Sequence, residues 1–246
     1  MLSTPISIVL PAYNEQPRIR AGLEKIEQYA AGHWSAWELI VVDDGSEDGT
    51  SVIVQQYRIS RPSGRRIRLL HNDSNRGKGF SVRRGFMESG SDIVLFSDAD
   101  MSTPIEESEK LLRTILQDGC DGAFGSRALP DSSIHLHQPL WREYGGKIFN
   151  LMMRGIAGLP YRDTQCGFKA FRREAFLPVF QRQKIERFGF DVEILYLARK
   201  NGLRLQEVPV SWSHCRDSKV RYSRDSLEMF LDLLRIRWND WRGYYN

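Results

Sequence analysis

Ile93-Val94-Leu95-Phe96-Ser97-Asp98-Ala99-Asp100 is the stretch on which the fold turns. Four apolar residues in a row are too few for a helix and read as a strand buried on both faces. Strands of that kind belong to parallel sheets covered by helices. This strand ends in two aspartates separated by one residue. If the chain stays extended there, both carboxylates point to one side. A hard cation such as Mg2+ or Mn2+ takes oxygen ligands and shares them between carboxylates and substrate phosphates. The competing reading is a turn that caps the helix after it.

Working outward, the same unit repeats. Residues 6–10, 39–42 and 67–70 are three more short apolar runs, and Gly122–Ser126 is a fifth strand. Between them Ile19, Leu23, Ile26 and Ala30 fall at helical spacing, and residues 52–57 and 78–88 read as helices. Thr103-Pro104-Ile105-Glu106 has the pattern of a helix start, with a capping threonine and proline at the first helical position. Strands alternating with helices predict an α/β fold, a mostly parallel sheet with helices on both faces. Past residue 130 the rhythm changes. Residues 131–139 read as a mobile polar loop, 141–156 as a helix and 163–173 as loop and strand. A helix over 190–201, a strand over 205–213 and an amphipathic helix over 226–238 complete the chain. On that last helix Leu227, Phe230, Leu231, Leu234 and Trp238 share a face expected to pack on the sheet. Trp241, Tyr244 and Tyr245, with Arg235, Arg237 and Arg242, suit contact with a bilayer interface.

In an open parallel sheet, ligands bind beyond the carboxyl ends of the strands. Here those ends read Pro11-Ala12-Tyr13-Asn14-Glu15, Asp43-Asp44-Gly45-Ser46, Asn72-Asp73 and Asp98-Ala99-Asp100. Carboxylates gathered on one rim repel one another, so a cation or a hydrogen-bonding ligand is expected among them. Asp43 also suits an Asx turn. Asn75-Arg76-Gly77-Lys78-Gly79 offers glycines, a helix N-terminus and a lysine, the parts of a phosphate cradle, without the spacing of a P-loop.

Composition narrows the classes. With 41% hydrophobic and 27% charged residues the chain has material for a core, which excludes disorder. The net charge of +4 comes from basic residues crowded toward the C-terminus; with an acidic rim and no nucleic-acid motif, nucleic acid ranks last as a partner. Cys120, Cys166 and Cys215 form neither a CxxC pair nor a disulfide framework, which favours a reducing cytosol, and Cys166 reads as a packed residue. No leader pattern opens the chain and no 18 apolar residues run together. The expected location is the cytoplasm, with peripheral contact at the cytoplasmic face of a membrane.

Taken in order, the four rim segments and Asn75-Arg76-Gly77-Lys78-Gly79 resemble the signature of family-two glycosyltransferases with the GT-A fold. The resemblance continues through Gly125-Ser126-Arg127, Asp163-Thr164-Gln165-Cys166-Gly167-Phe168-Lys169, Phe188-Gly189-Phe190-Asp191-Val192-Glu193 and Glu207-Val208-Pro209-Val210. The Gly-Ser-Arg and Asp-Thr-Gln-Cys-Gly-Phe-Lys runs are most similar to polyprenyl-phosphate sugar transferases, especially dolichyl-phosphate β-glucosyltransferases. The resemblance implies one domain over 1–246, with a nucleotide-sugar-binding half to about 127 and an acceptor-binding half from 128. It implies inverting transfer of a sugar, glucose from UDP-glucose or mannose from GDP-mannose, to a polyprenyl or dolichyl phosphate. Pro11, Tyr13, Glu15 and Asp43 would hold base and ribose beside Asp44, with Lys78 also on the donor. Asp98 and Asp100 would hold nucleotide and metal, Mg2+ or Mn2+. Arg127 and Arg142 would meet the acceptor phosphate, Ser218 and Lys219 would close over the diphosphate within a basic lid, and Asp163 and Asp191 are candidates for the cleft floor. Ser102 departs from the glutamine common in related mannosyltransferases, and the membrane segments of eukaryotic relatives have no counterpart in this sequence. An ionised phosphate acceptor needs positioning but no general base, whereas a polysaccharide hydroxyl would need one, and Asp163 or Asp191 would then serve. A non-catalytic nucleotide-sugar-binding protein is the alternative from another class.

Overall fold

The computed structural model describes residues 2–136, 151–152, 154–214 and 222–246. Strands β1 (Ile6–Ala12), β2 (Trp37–Asp43), β3 (Ile67–His71), β4 (Ile93–Ser97), β5 (Gly122–Ser126), β7 (Phe168–Arg172) and β8 (Leu205–Pro209) form one sheet in the order β3-β2-β1-β4-β7-β5-β8. All its pairings are parallel except those of β7, which lies antiparallel between β4 and β5. Side chains alternate across the strands and feed two cores. Ile6, Ile8, Leu10, Leu39, Val41, Ile93 and Leu95 pack on one face; Val9, Ile40, Val42, Val94 and Phe96 pack on the other. Helices α1 (Ile19–His33), α2 (Thr50–Ser60) and α4 (Ser108–Leu116) cover the first face. Helices α3 (Lys78–Glu88), α5 (Arg173–Arg182), α6 (Phe190–Lys200) and α7 (Tyr222–Trp241) cover the second.

The N-terminal expectations hold to within a few residues, because each strand there is mostly apolar and bounded by turn residues. The departures lie where polarity hides structure. Residues 131–139 are not all loop: β6 (Ser133–Leu136) pairs in parallel with β9 (Ser211–Ser213) in a second, two-stranded sheet. The single strand expected over 205–213 is therefore two, broken at Val210, whose side chain is buried while its neighbours join different sheets. Helix α5 had no counterpart in the sequence reading, since Pro178 lies inside it and reads as a breaker. Thr103 does not cap a helix. A 3-10 turn over Ile105–Glu107 precedes α4, and the buried Thr103 hydroxyl lies 4.0 Å from the Cys166 sulfur instead. The helix expected over 141–156 falls mostly outside the described residues; 151–152 and 154–157 are helical.

The largest correction is on α7. Leu227, Leu231, Leu234 and Trp238 do not pack on the sheet but face outward, from 44% exposed at Leu231 to 62% at Leu227. Leu233 and Ile236 carry the buried contact, closed at the C-terminus by Tyr245. Phe230 of the expected stripe does pack on the core beside Leu233 and Ile236, so only the rest of the stripe faces outward, while Tyr245, expected at a bilayer interface, is buried.

Candidate active site

β1 has β2 on one side and β4 on the other, so the chain order reverses between β1 and β4 and opens a crevice at their carboxyl ends. Four segments build its rim. The loop after β1 is clasped to the loop after β2: the amides of Asn14 and Glu15 donate to Ser46 Oγ (2.9 Å) and Thr50 Oγ1 (2.8 Å), and the Glu47 amide donates to Asn14 Oδ1 at 2.9 Å. Asn14 takes a left-handed backbone, φ 53°, which its short polar side chain tolerates. Pro11 and Tyr13 are left half-exposed, and the Glu15 carboxylate pairs with Arg18.

Asp43 and Asp44 are wholly engaged by protein. Asp43 accepts the Ser46 amide (3.0 Å), three residues on rather than the two of an Asx turn, and is bound by Ser51 Oγ and His71 Nδ1. Asp44 accepts Asn72 Nδ2 at 2.7 Å, the Arg76 amide at 3.1 Å and the Gly77 amide at 2.7 Å. The amides expected to cradle a phosphate thus hold the chain's own carboxylate, since a helix N-terminus favours negative charge of any origin. Of that motif, Lys78 is what turns toward the crevice. Its Nζ meets Asp98 Oδ1 at 2.5 Å, above the rings of Phe96 and Phe190 (5.9 and 6.0 Å to the centroids). Burial alone would lower the Lys78 ammonium, but Asp98 and then Asp191 outweigh it and push it up to about 12.

Asp98-Ala99-Asp100 is not extended, as expected above, but a turn. The Met101 amide donates to the Asp98 carbonyl (3.1 Å), Met101 has φ 51°, and the Ser102 amide donates to Asp100 Oδ1 (2.9 Å). The two carboxylates still feel each other: burial first, then the charge of Asp98, push the Asp100 carboxyl above its ordinary value. Among the described residues no three His, Cys, Asp or Glu side chains gather as a metal site.

β7 brings the C-terminal half of the rim to this turn. Its first residue, Phe168, pairs with Ser97, so Gly167 abuts Asp98, and a Cβ on Gly167 would overlap the Asp98 carboxylate. On the same strand Lys169 is completely buried. Its Nζ donates to Asp191 Oδ1 and to the Cys166 carbonyl, both at 2.5 Å, with the Phe96 ring 5.3 Å away. Burial pushes the Asp191 carboxyl up even against the two lysines that face it. Sequence reasoning assigned Lys169 no role; the available signal was a lysine at an inward position of an apolar strand, where charge is rare unless paired. Cys166 is buried and its thiol is pushed up to about 11 by burial, so it is a packed residue and no nucleophile.

At the end of β5, Arg127 forks onto Asp163 through Nε (2.7 Å) and Nη2 (2.9 Å), and its amide donates to the same carboxylate at 3.0 Å. The Trp212 ring lies 5.4 Å from the guanidinium carbon. Glu207 accepts the amides of Arg162 and Asp163 and fixes that loop. Both floor candidates are therefore partners of cations, Asp163 of the half-buried Arg127 and Asp191 of the buried Lys169. Arg142, Ser218 and Lys219, with the rest of the basic lid from 215 to 221, lie outside the described residues.

Known proteins share this architecture and much of the sequence. A crystal structure of glucosyl-3-phosphoglycerate synthase from Mycobacterium tuberculosis, in complex with Mn2+, UDP and glucosyl-3-phosphoglycerate, superposes with a TM-score of 0.71 at 21% identity, over 95% of this chain and 80% of that one. Dolichyl-phosphate beta-glucosyltransferase ALG5C of Trichomonas vaginalis is 37% identical over 94% of this chain and 70% of its own. The dolichyl-phosphate beta-glucosyltransferase of Dictyostelium discoideum is also 37% identical, over 95% of this chain and 74% of its own. That of Saccharomyces cerevisiae is 33% identical over 98% and 76%. Residues 7–180, which run from β1 through β7 and carry both the acidic turn and the Arg127 fork, match the family described as Glycosyl transferase family 2, and the chain belongs to that family.

Proposed function

We propose that this glycosyltransferase moves glucose from UDP-glucose to the phosphate of a dolichol or related polyprenol, inverting the anomeric centre, with Mg2+ or Mn2+ at Asp98 and Asp100. The observation that carries the reading is an acidic turn and a guanidinium fork on one rim: the loop that begins at Asp163, the partner of Arg127, ends at Gly167 against the Asp98 carboxylate. An acidic turn suits a cation-bound diphosphate, and a guanidinium held by Asp163 through Nε and Nη2 has its other N–H donors for a phosphate monoester. The relatives named as dolichyl-phosphate beta-glucosyltransferases support the sugar and the acceptor. The fold neighbour crystallised with Mn2+ and UDP-glucose supports the donor.

The donor set fits a hard cation. Two carboxylates lie one residue apart, and Lys78 already holds a cation's place on Asp98. Remaining coordination falls to the donor's phosphate oxygens. When bound, the ion neutralises charge on the diphosphate as it leaves. Pro11 and Tyr13 receive the base, Glu15 and Asp43 shape the ribose side, and Asp44 holds the loop that presents Lys78. Arg127, joined by Arg142, orients the acceptor phosphate, while Ser218 and Lys219 close over the donor. The acceptor oxygen attacks the anomeric carbon as its bond to the diphosphate breaks. That oxygen carries no proton at neutral pH, so no base is required, and Asp163 acts by holding the Arg127 fork.

The lipid end of the acceptor is assigned to the outward stripe of α7. Leu227, Leu231, Leu234, Trp238 and Trp241 recur at helical spacing, with the exposed Arg235, Arg237 and Arg242 along its two edges. Apolar side chains flanked by arginines match an anionic membrane surface. No helix among the described residues is long and apolar enough to cross a membrane.

Transfer of labelled sugar from UDP-glucose, and in parallel from GDP-mannose, to a polyprenyl phosphate tests the reaction, with and without Mn2+, beside Asp100→Ala. Metal-dependent lipid product from UDP-glucose, lost in the variant, is expected. Nucleotide binding without lipid product from either donor would sink the lipid-phosphate acceptor.

A further inference from the structure

We propose that Lys78 is the built-in counter-cation of the acidic turn, holding Asp98 until the metal ion and the donor arrive together and then exchanging the carboxylate for the donor's diphosphate. The inference rests on the reading of the donor as a nucleotide diphosphate sugar. Four charged side chains alternate in sign along this side of the crevice: Lys169, Asp191, Lys78 and Asp98. Each end is fixed. Lys169 is committed to Asp191 and to the Cys166 carbonyl at 2.5 Å, so Asp191 is only partly available to Lys78. At the other end Gly167 leaves the room that seats the Asp98 carboxylate. Lys78 therefore has one short ion pair, at 2.5 Å, with its side chain 18% and that of Asp98 34% exposed. Asp100, two residues on, accepts the Ser102 amide and feels the charge of Arg18 from outside this row.

This arrangement makes each ligand a poor visitor alone. A divalent ion entering by itself must share Asp98 with an ammonium, and like charges at such range in a half-buried site cost several kcal/mol in the absence of compensation. A diphosphate entering by itself meets Asp98 and Asp100 with one cation already spent. Entering together, the ion takes the two carboxylates and the diphosphate takes Lys78. The Lys78–Asp98 pair is replaced by two opposite-charge contacts, and no charge is left without a partner. By linkage the factor by which nucleotide raises ion affinity equals the factor by which ion raises nucleotide affinity. Lys78 is the residue that sets this factor, since it is what the ion must displace.

The test uses the full chain and titrates Mn2+, followed by the electron paramagnetic resonance of the free ion, with and without UDP. In the wild type, UDP is expected to raise Mn2+ affinity markedly. In Lys78→Met, Mn2+ affinity without nucleotide should rise by about tenfold or more, the scale of one short half-buried ion pair, while the gain from UDP shrinks. Lys78→Arg should keep the low nucleotide-free affinity, and Lys78→Gln gives the same readout as the methionine variant should that one fold poorly. Nucleotide-free Mn2+ affinity that is unchanged or weaker in both neutral variants, while the wild type binds UDP, overturns the exchange and leaves the donor assignment standing. Failure of the wild type to bind UDP with or without Mn2+ overturns the donor assignment and the exchange with it.

Discussion

Gly167 carries no side chain because the Asp98 carboxylate occupies that space. Gly167→Ala is expected to push Asp98 off the turn and to lower transfer by about a hundredfold, the usual penalty for displacing a reacting group by an ångström. Far-ultraviolet circular dichroism of the variant should match the parent, and full activity in the alanine variant would show that Asp98 can move freely. The buried pair of Lys169 and Asp191 answers to stability instead. Lys169→Met alone should cost about 3–5 kcal/mol, because it strands a carboxylate in the core, and Lys169→Met with Asp191→Leu should recover much of that. Urea denaturation reads the difference, and a double variant no more stable than the single one would argue against charge stranding. At this scale the sequence was half legible. Asp98 and Asp100 announce themselves at the end of an apolar strand. Asp43 and Asp44 look the same on paper, yet their partners are amides some two to three dozen positions away in the case of Asp44, and short-range spacing cannot reveal that.

At the scale of elements, helix periodicity exposed which residues of α7 share a face but not which face is buried. Leu227, Leu231, Leu234 and Trp238 form the stronger stripe, and the helix packs through Leu233 and Ile236 instead. A moment read along one helix sees only polarity; the buried side is chosen by α6, whose Tyr196 and Glu193 receive Asp240 and Tyr245. The outward stripe gives a direct prediction. Leu234→Glu with Trp238→Glu should abolish co-sedimentation with vesicles containing phosphatidylserine, and should lower transfer to a long-chain polyprenyl phosphate in those vesicles about tenfold or more. Transfer to a short, water-soluble prenyl phosphate should be unchanged. Equal loss on both acceptors would mean that the stripe serves the site itself. The short strand β6 escaped for another reason: its four residues, Ser133-Ile134-His135-Leu136, are too few to stand out from a polar stretch, and parallel pairing with β9 across such a distance leaves no local trace.

For the whole molecule, the alternation of apolar runs and helices fixed the parallel half of the sheet, and the antiparallel β7 escaped because direction is not written in a strand's composition. One consequence reaches acid stability. The Arg127–Asp163 fork joins the end of β5 to the loop before β7, which Glu207 of β8 also holds. Burial would raise the Asp163 carboxyl, but Arg127 outweighs it and holds it below 3.8. A carboxyl depressed on folding stabilises fully above its unfolded value, and that contribution drains away as pH falls through the folded one. Asp163→Asn should therefore be less stable than the parent at neutral pH, with the gap narrowing as pH drops below 3.8. Urea midpoints at both ends of that range decide it, and a constant gap would exclude the ion pair as its source. The position of β7 also bears on how the chain is born. β5 leaves the ribosome before both of its partners, β7 and β8, so a nascent chain ending before residue 168 has a four-stranded sheet, β3-β2-β1-β4, with an open edge at β4, and an unpaired β5. The strand that joins them brings a lysine whose counter-charge, Asp191, is synthesised a further 22 residues on. Translation thus withholds the central stitch of the sheet until two-thirds of the polypeptide has been made, and a pause before that point would present exposed strand edges to the quality-control machinery of the cell.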